Sequence, residues 1–376
     1  MVNRSSSGSG KQSGPLRAPI PIADLHCDLL SYLASVDNAD PASTEDIGCA
    51  IPFLRSGHVK LQVLAIYSGG GVNSARLTSC QCAWFRRLLK HYKHAFHRVD
   101  LPRTAPGSMW SSGTGIVAAI ENASALCGDD EPVAEAFRRL RTIRNKLGSV
   151  FYISLTHHGE NRFGGGNYTD TGLKDDGRIL LDHINGEKIA IDLSHASDAL
   201  AHGILDHIDN NKLDIPVIAS HSNFRSVYDH KRNLPDEIAR AIISRGGLIG
   251  MNFLRAFLHP DDPSSLIRHI LYGIKIGGQD ALSFGADFFH TRGHPDQSRV
   301  PFFFREHEHA GNYQSILRSL ESELQTDRIE ALASGNVVTF LQRLWTKKNG
   351  RGQGSRRHEA EPPCPRRGHQ ASGKSA

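Results

Sequence analysis

Eight short, continuous apolar runs, centred near residues 23, 63, 118, 153, 191, 218, 250 and 284, constrain this chain more than any other feature. Most are separated from the next by a segment with helical spacing. Runs that are apolar throughout, rather than alternating, belong to strands buried on both faces, as in a parallel sheet covered by helices. Eight such units fit a TIM-like (β/α)8 barrel better than an open doubly wound sheet, and 376 residues suffice for one barrel with additions. No glycine-rich phosphate loop follows the first run, because Gly8-Ser9-Gly10-Lys11 precedes any strand.

The segments between the runs supply the helices. Ile51 to Gly57 reads as a short helix closed by glycine, and Ser79 to Val99 has helical spacing in Trp84, Leu88, Leu89, Tyr92 and Phe96. Glu131–Leu147, Gly177–Asn185, Ser197–Asn210, Pro235–Arg245 and Leu266–Ile276 read as the helices of successive units. Ser35 to Asp46 is polar and long enough to loop over a strand end.

The chemistry-bearing residues stand at the ends of these runs. Asp24-Leu25-His26-Cys27-Asp28 closes the first, Glu121 the third, His157 the fourth, His195 the fifth, His221 the sixth and Asp287 the last. Barrels of this kind place their active sites at the C-terminal ends of the strands. Plain strand alternation turns His26 and Asp28 the same way and Cys27 away. It likewise groups Val217, Ala219 and His221 on one face, and Ser283, Gly285 and Asp287 on another. A lone His-x-Asp is ordinarily surface polarity and a lone strand-end histidine ordinarily structural; seven coincident positions call for another explanation.

Three of the imidazoles with three carboxylates exceed the needs of one tetrahedral zinc and suit two metals sharing a bridging carboxylate. Such a centre acidifies a bridging water to hydroxide, the nucleophile, and polarises a carbonyl, which predicts hydrolysis of an amide or related acyl bond. Imidazole and carboxylate donors favour two zinc ions, and manganese or iron also fits.

Charge is segregated. Residues 1–18 hold three Lys/Arg and no acid, and residues 346–376 hold eight against Glu359 and Glu361; the ends carry +3 and +6 of the formal +5, which leaves residues 19–345 at −4. Residues 1–18 and 346–376 therefore read as disordered tails around a single barrel domain, 19–345. The N-terminus lacks the apolar core of a secretory signal and no run is long enough to span a membrane, so a cytoplasmic protein is expected. Six scattered cysteines read as reduced thiols, Cys80-Gln-Cys82 included. Glu306-His307-Glu308-His309 lacks the spacing of a zincin and reads as a solvated loop. The glycine-rich loop Gly159–Gly166 reads as mobile and as shaping a pocket.

From about Ile22 to Trp345 the chain resembles the membrane (renal) dipeptidase family of zinc peptidases, which adopt the metal-dependent amidohydrolase barrel. The resemblance is carried by Asp24–Asp28, Leu155-Thr156-His157, Asp192-Leu193-Ser194-His195-Ala196-Ser197, Ser220-His221-Ser222-Asn223 through Arg232-Asn233-Leu234-Pro235-Asp236, and in part by Gly335-Asn336 with Phe340-Leu341. It implies that His26 and Asp28 hold one zinc, that His195 and His221 hold the other, and that Glu121 bridges them. Asp287, near the first metal, would be the proton-transfer carboxylate; His157 would hydrogen-bond the scissile oxygen; Arg232 would bind the substrate's terminal carboxylate. A satisfied core histidine and a surface arginine are the plain alternatives for the last two.

The expected function is a binuclear zinc dipeptidase acting on small dipeptides, including those with a C-terminal D-residue, with no specific nucleic-acid partner, no membrane span and a homodimeric state. Two departures from the family pattern are Cys27, where asparagine is frequent, and Leu254, where an aromatic residue follows Asn-Phe; the latter bears on substrate preference. Two other readings stand beside it: an amidohydrolase for another small acyl substrate, an N-acyl amino acid or a lactam, and a non-catalytic barrel that binds through its basic tails.

Overall fold

The computed structural model describes residues 18–71, 73–100 and 112–346. Its nine strands are β1 (Ile22–Cys27), β2 (Val59–Tyr67), β3 (Phe96–Arg98), β4 (Thr114–Glu121), β5 (Val150–Ser154), β6 (Ala190–Asp192), β7 (Val217–Ile218), β8 (Ile249–Met251) and β9 (Leu282–Phe284). Hydrogen bonding follows the order β7-β6-β5-β4-β2-β1-β9-β8, all in parallel. A parallel bridge between Ala219 and Ile249, with the Gly250 amide donating to the Ala219 carbonyl at 2.8 Å, ties β7 to β8 and closes the ring. Each of the eight apolar runs contains one barrel strand.

The helices are α1 (Leu29–Ser35), α2 (Ile51–Ser56), α3 (Ser74–His91), α4 (Ala134–Leu147), α5 (Asp175–Ile184), α6 (Asp198–Asn211), α7 (Asp236–Ser244), α8 (Arg255–Leu258), α9 (Ser265–Lys275), α10 (Tyr313–Ser319), α11 (Thr326–Glu330) and α12 (Asn336–Thr346). The helical spacing read over Ser79–Val99 overshoots: α3 stops at His91, and Phe96–Arg98 becomes β3, paired with Thr114–Ile116. Phe96 is buried where it pairs with β4, and its apolar character carries the helical pattern across the turn.

Two apolar layers hold the barrel. Outside, Ile116, Ile120, Ile153, Ile191 and Val217 pack with Leu140, Ile143, Leu180, Ile204 and Ile238 of the surrounding helices. Inside, Ala23, Leu25, Leu61, Val63, Val117, Ala119, Phe151, Ala190 and Ile218 fill the lumen, and Val337, Phe340, Leu341 and Leu344 of α12 plug the end where the strands begin. Asn336 seats that plug by donating to the Leu282 carbonyl at 2.8 Å. The first and last strands meet at Asp24, opposite Phe284 in the register. Its carboxylate accepts from the amides of His26 (3.0 Å) and Ala286 (3.2 Å) and from the Tyr313 hydroxyl (2.5 Å).

Three departures from plain alternation bear on the site. Along β1, Asp24 pairs with Gln62 and Cys27 with Leu64, three residues against two; along β5, Val150 pairs with Ala118 and Ile153 with Ile120, again three against two. Each is a β-bulge that turns two consecutive side chains inward, Leu25 with His26 and Phe151 with Tyr152. His26 and Asp28 thus reach the same side through a bulge, while Cys27 packs in the outer layer beside Cys49. On β7 the expected face is reversed: Val217 and Ala219 lie in the outer layer, and His221 is brought inward by the turn at Ser220-His221. Ser220 protrudes into the lumen there, and a Cβ on Gly250 or Gly285 would stand 2.0 or 1.9 Å from its carbonyl oxygen.

Two loops differ from expectation. Gly164, Gly165 and Gly166 are buried, and a Cβ on Gly166 would lie 2.1 Å from the His157 carbonyl oxygen, so these glycines serve close packing rather than mobility. His307 is buried between Phe253 and Phe304, and His309 stacks on Phe53 at 3.9 Å, so that segment is anchored by its histidines while Glu306 and Glu308 are exposed as expected. Cys27, Cys49, Cys80, Cys82 and Cys127 are buried thiols outside any disulfide. The tails read as disordered lie outside the described residues but for Ala18 and Thr346. Among the described residues no helix is long and apolar enough to cross a membrane.

Candidate metal centre

Glu121, at the end of β4, lies at the middle of the convergence. Its Oε1 stands 3.1 Å from His195 Nε2 and 3.5 Å from His221 Nε2, and its Oε2 stands 3.5 Å from His26 Nε2. The ligand atoms of His26, Asp28 and Glu121 lie within 4.8 Å of one another, as do those of Glu121, His195 and His221. Asp287 joins His26 and His221 in a third such group, its Oδ1 3.7 Å from His26 Nε2. His157, His158 and His195 form a fourth. All six residues read from the sequence as metal-ligating are therefore brought to one end of the barrel, together with His157.

Hydrogen bonds from behind fix how the imidazoles face. The Tyr152 hydroxyl donates to the Leu25 carbonyl at 3.1 Å, so it accepts from His26 Nδ1–H at 2.7 Å and leaves the Nε2 lone pair facing Glu121. Ser220 donates to Asp192 Oδ2 at 2.6 Å and accepts from His221 Nδ1–H, also at 2.6 Å, which frees His221 Nε2 in the same way. Asp192 also accepts from the amides of Ser194 (3.0 Å) and Ser220 (2.8 Å), joining the ends of β6 and β7. His195 Nε2 lies 2.9 Å from His221 Nε2. Two nitrogens on one tetrahedral zinc stand about 3.3 Å apart, so this pair is close to one edge of such a shell.

Backbone conformation contributes as well. Asn122, His195 and Asp287 have φ of 69°, 67° and 64°, left-handed values that non-glycine residues adopt at a cost. They follow strands β4, β6 and β9, where the chain must bend sharply to aim side chains at the lumen. Such strain collects at functional sites.

The electrostatics show a centre short of positive charge. Although burial opposes it, Glu121 and the other carboxylates hold the His26 imidazole up to about 10, a demand for positive charge at Nε2 that either a proton or a metal ion answers. Burial, reinforced by the charge of Glu121, raises the Asp28 carboxyl well above its usual range and pushes Asp287 up to about 6. Burial and neighbouring cations hold His195 and His221 well below the ordinary imidazole value, so both are neutral and able to ligate. His26 Nε2 and Asp28 Oδ1 are buried without a hydrogen-bond partner among the described residues. Orphaned inward-facing lone pairs and clustered carboxylates fit divalent cations.

Around this centre lies a cavity of about 350 Å³ lined by Asp28, Tyr67, Glu121, His157, Leu254 and Phe257 among others. His157 is 24% exposed, with Nε2 3.9 Å from Glu121 Oε1; burial lowers it to about 3, so it is a neutral donor. Arg232 is 3% exposed and donates to Ser222 Oγ at 2.8 Å and to the His221 carbonyl at 2.9 Å, while its Nε has no partner among the described residues. Asn252 donates to Asp287 Oδ2 at 2.9 Å and orients that carboxylate.

The sequence model of the membrane dipeptidase family, peptidase family M19, matches residues 11–351. The chain belongs to the membrane dipeptidase family. An uncharacterized dipeptidase of Schizosaccharomyces pombe is 28% identical over 211 residues, 53% of this chain and 46% of its own length. An uncharacterized protein in the pqqA 5′ region of Klebsiella pneumoniae is 34% identical over 143 residues, 34% of this chain and 51% of its own. The chain thus spans about half the length of these curated relatives. Among solved structures, a metallopeptidase of family M19, dipeptidase AC, superposes with a TM-score of 0.75 at 18% identity over 88% of this chain and 100% of its own. A Rhodobacter sphaeroides metallopeptidase, bound to a phosphinate mimic of L-Ala-D-Ala, gives 0.72 at 18% over 87% and 100%. At that identity the likeness is one of fold, and the barrel is the family's.

Sequence reasoning gave no supporting role to Tyr152, Asp192, Ser220 or Asn252, although Asp192 and Ser220 stand in the motifs that carry the resemblance. A tyrosine and an aspartate inside apolar strands are the signal that could have found the first two, because a polar group buried there requires a partner.

Proposed function

We propose that this M19 family member is a metal-dependent dipeptidase whose centre holds two zinc ions, one at His26 and Asp28 and one at His195 and His221, with Glu121 shared between them. The observation that carries the reading is Glu121 itself, a buried carboxylate with one oxygen facing His26 and the other facing His195 and His221. Divalent cations held by these residues would supply Lewis acidity for activating water and polarising the scissile carbonyl.

The chain's own residues do the rest. Arg232, a buried guanidinium with an unpartnered Nε, takes the terminal carboxylate of the substrate and sets its register in the cavity. Neutral His157 donates a hydrogen bond to the scissile oxygen as negative charge develops on it. Asp287, oriented by Asn252, accepts a proton from the attacking water and returns it to the leaving amine. The family resemblance and the R. sphaeroides ligand extend the reading to dipeptides with a C-terminal D-residue.

The test is turnover of a panel of L,L- and L,D-dipeptides alongside N-acyl amino acids, with metal analysis of the same preparation. Two zinc per chain and hydrolysis of dipeptides are expected, and His221→Ala abolishes turnover while the circular dichroism spectrum is retained. Full activity in His221→Ala, or hydrolysis confined to N-acyl amino acids, overturns the assignment.

A further inference from the structure

Two guanidinium groups share the ring of Phe257: Arg232 Cζ lies 5.6 Å from its centroid and Arg299 Cζ 5.8 Å. The two charges therefore stand no more than 11.4 Å apart, the sum of those distances. Arg299 lines the same cavity as Glu121 and His157, half-buried, with its guanidinium also 5.7 Å from the ring centre of Phe302. No hydrogen bond or ion pair to Arg299 is present among the described residues. The nearest acid along the chain, Asp296, turns its Oδ1 to the amide and hydroxyl of Ser298. Arg299 is thus a cation held by aromatic faces instead of by a carboxylate, and it opens onto the substrate cavity.

Resting on the dipeptidase reading, Arg232 is committed to the terminal carboxylate of the substrate. The group nearest that carboxylate is the side chain of the same C-terminal residue. In aspartate and glutamate the two carboxylate carbons lie about 4 to 5 Å apart, and each sits about 4 Å from the guanidinium carbon of a two-pronged pair. Such a residue spans two guanidinium carbons up to about 12 Å apart, which covers the separation that Phe257 imposes. We propose that Arg299 is a specificity-determining residue that selects dipeptides whose C-terminal residue carries a side-chain carboxylate.

The experiment compares kcat/KM for matched pairs differing only in acid against amide, Ala-Glu with Ala-Gln and Ala-Asp with Ala-Asn, with the C-terminal residue in both configurations. In the wild type the acid exceeds the amide by about tenfold or more, the discrimination expected of a charge-assisted pair in a sheltered cavity. Arg299→Gln collapses that ratio toward one, mainly through KM of the acid, and Arg299→Lys restores part of it. The ratio is read only from active enzyme, so loss of folded protein cannot imitate the result. Turnover of the amides with no preference for the acids, or a ratio that survives Arg299→Gln, overturns this inference alone. No turnover of any pair overturns the dipeptidase reading and this inference with it.

Discussion

The Tyr152 hydroxyl lies 2.7 Å from Nδ1 of His26, and a β-bulge turns each of the two residues into the barrel. The hydroxyl's own proton goes to the Leu25 carbonyl, so this contact selects the His26 tautomer whose Nε2 can ligate. Tyr152→Phe removes the orienting acceptor without changing the shape of the core. It is expected to weaken divalent-metal binding by about 10- to 100-fold, the usual effect of losing such a partner. Competition with a chromophoric chelator measures this, and an unchanged affinity would show that the bulge alone orients the ring.

Arg232 is buried and makes no ion pair with a carboxylate among the described residues, and on the dipeptidase reading the substrate's terminal carboxylate supplies one. Arg232→Ala should lower kcat/KM for a dipeptide by on the order of a hundredfold or more. A dipeptide amide, which lacks the terminal carboxylate, should be as poor a substrate for the wild type as the free dipeptide is for the variant. If the amide is turned over as well as the acid by the wild type, Arg232 binds something else.

His269 sets an acid limit on stability. Its Nδ1 accepts from the Phe224 amide at 3.2 Å and its Nε2 donates to the Leu258 carbonyl at 3.1 Å, so it must be neutral, and burial lowers it to about 4. The folded value lies below the unfolded one of about 6.5, so the unfolded chain binds the extra proton between them. The contribution is complete above about pH 6.5 and is lost as pH falls toward 4, a loss of about 3 kcal/mol. Thermal melts from pH 8 to pH 5 should show Tm falling with acid, with a shallower fall in His269→Gln. Parallel slopes would assign the acid sensitivity elsewhere, His307 being the other buried imidazole lowered to about 4 away from the centre.

Gly285 gives a packing test. A Cβ there would press on the Ser220 carbonyl, immediately before His221, so Gly285→Ala should destabilise by about 1 to 3 kcal/mol and reduce bound metal. Gly159, whose Cβ would meet nothing within 4 Å, is the control: Gly159→Ala should be neutral or stabilise by less than about 1 kcal/mol. Denaturant melts with metal analysis distinguish the pair, and equal behaviour would remove the crowding of Ser220 as a constraint.

The eight strands were legible because each is a short apolar run with a helix to follow, and the convergence of polar side chains was legible because they sit at the ends of those runs. What the sequence does not display is the local slip that aims them. Bulges at Leu25-His26 and Phe151-Tyr152 break the alternation by one residue, and nothing in the residue types announces that. His221 arrives by a turn, against the parity of Val217 and Ala219. The glycines of 164–166 read as freedom but are contact, since a glycine records only the missing side chain and not whether space or a neighbour replaces it. Phe96 belongs to β3 although its apolar side chain extends a helical pattern, because the pairing with β4 is a tertiary choice.

Asp24 also fixes the order in which the fold can come into being. Its carboxylate reaches partners 262 and 289 positions further along the chain, so β1 emerges from the ribosome with one edge lacking the strand it needs. At typical synthesis speeds that wait lasts on the order of tens of seconds. During it an apolar edge is open to mispairing, and His26 and Asp28 stand at the tip of a strand held from one side only. A nascent chain can therefore carry His26 and Asp28 without the convergence that a cation needs, and on the two-zinc reading metal loading belongs after closure of the ring.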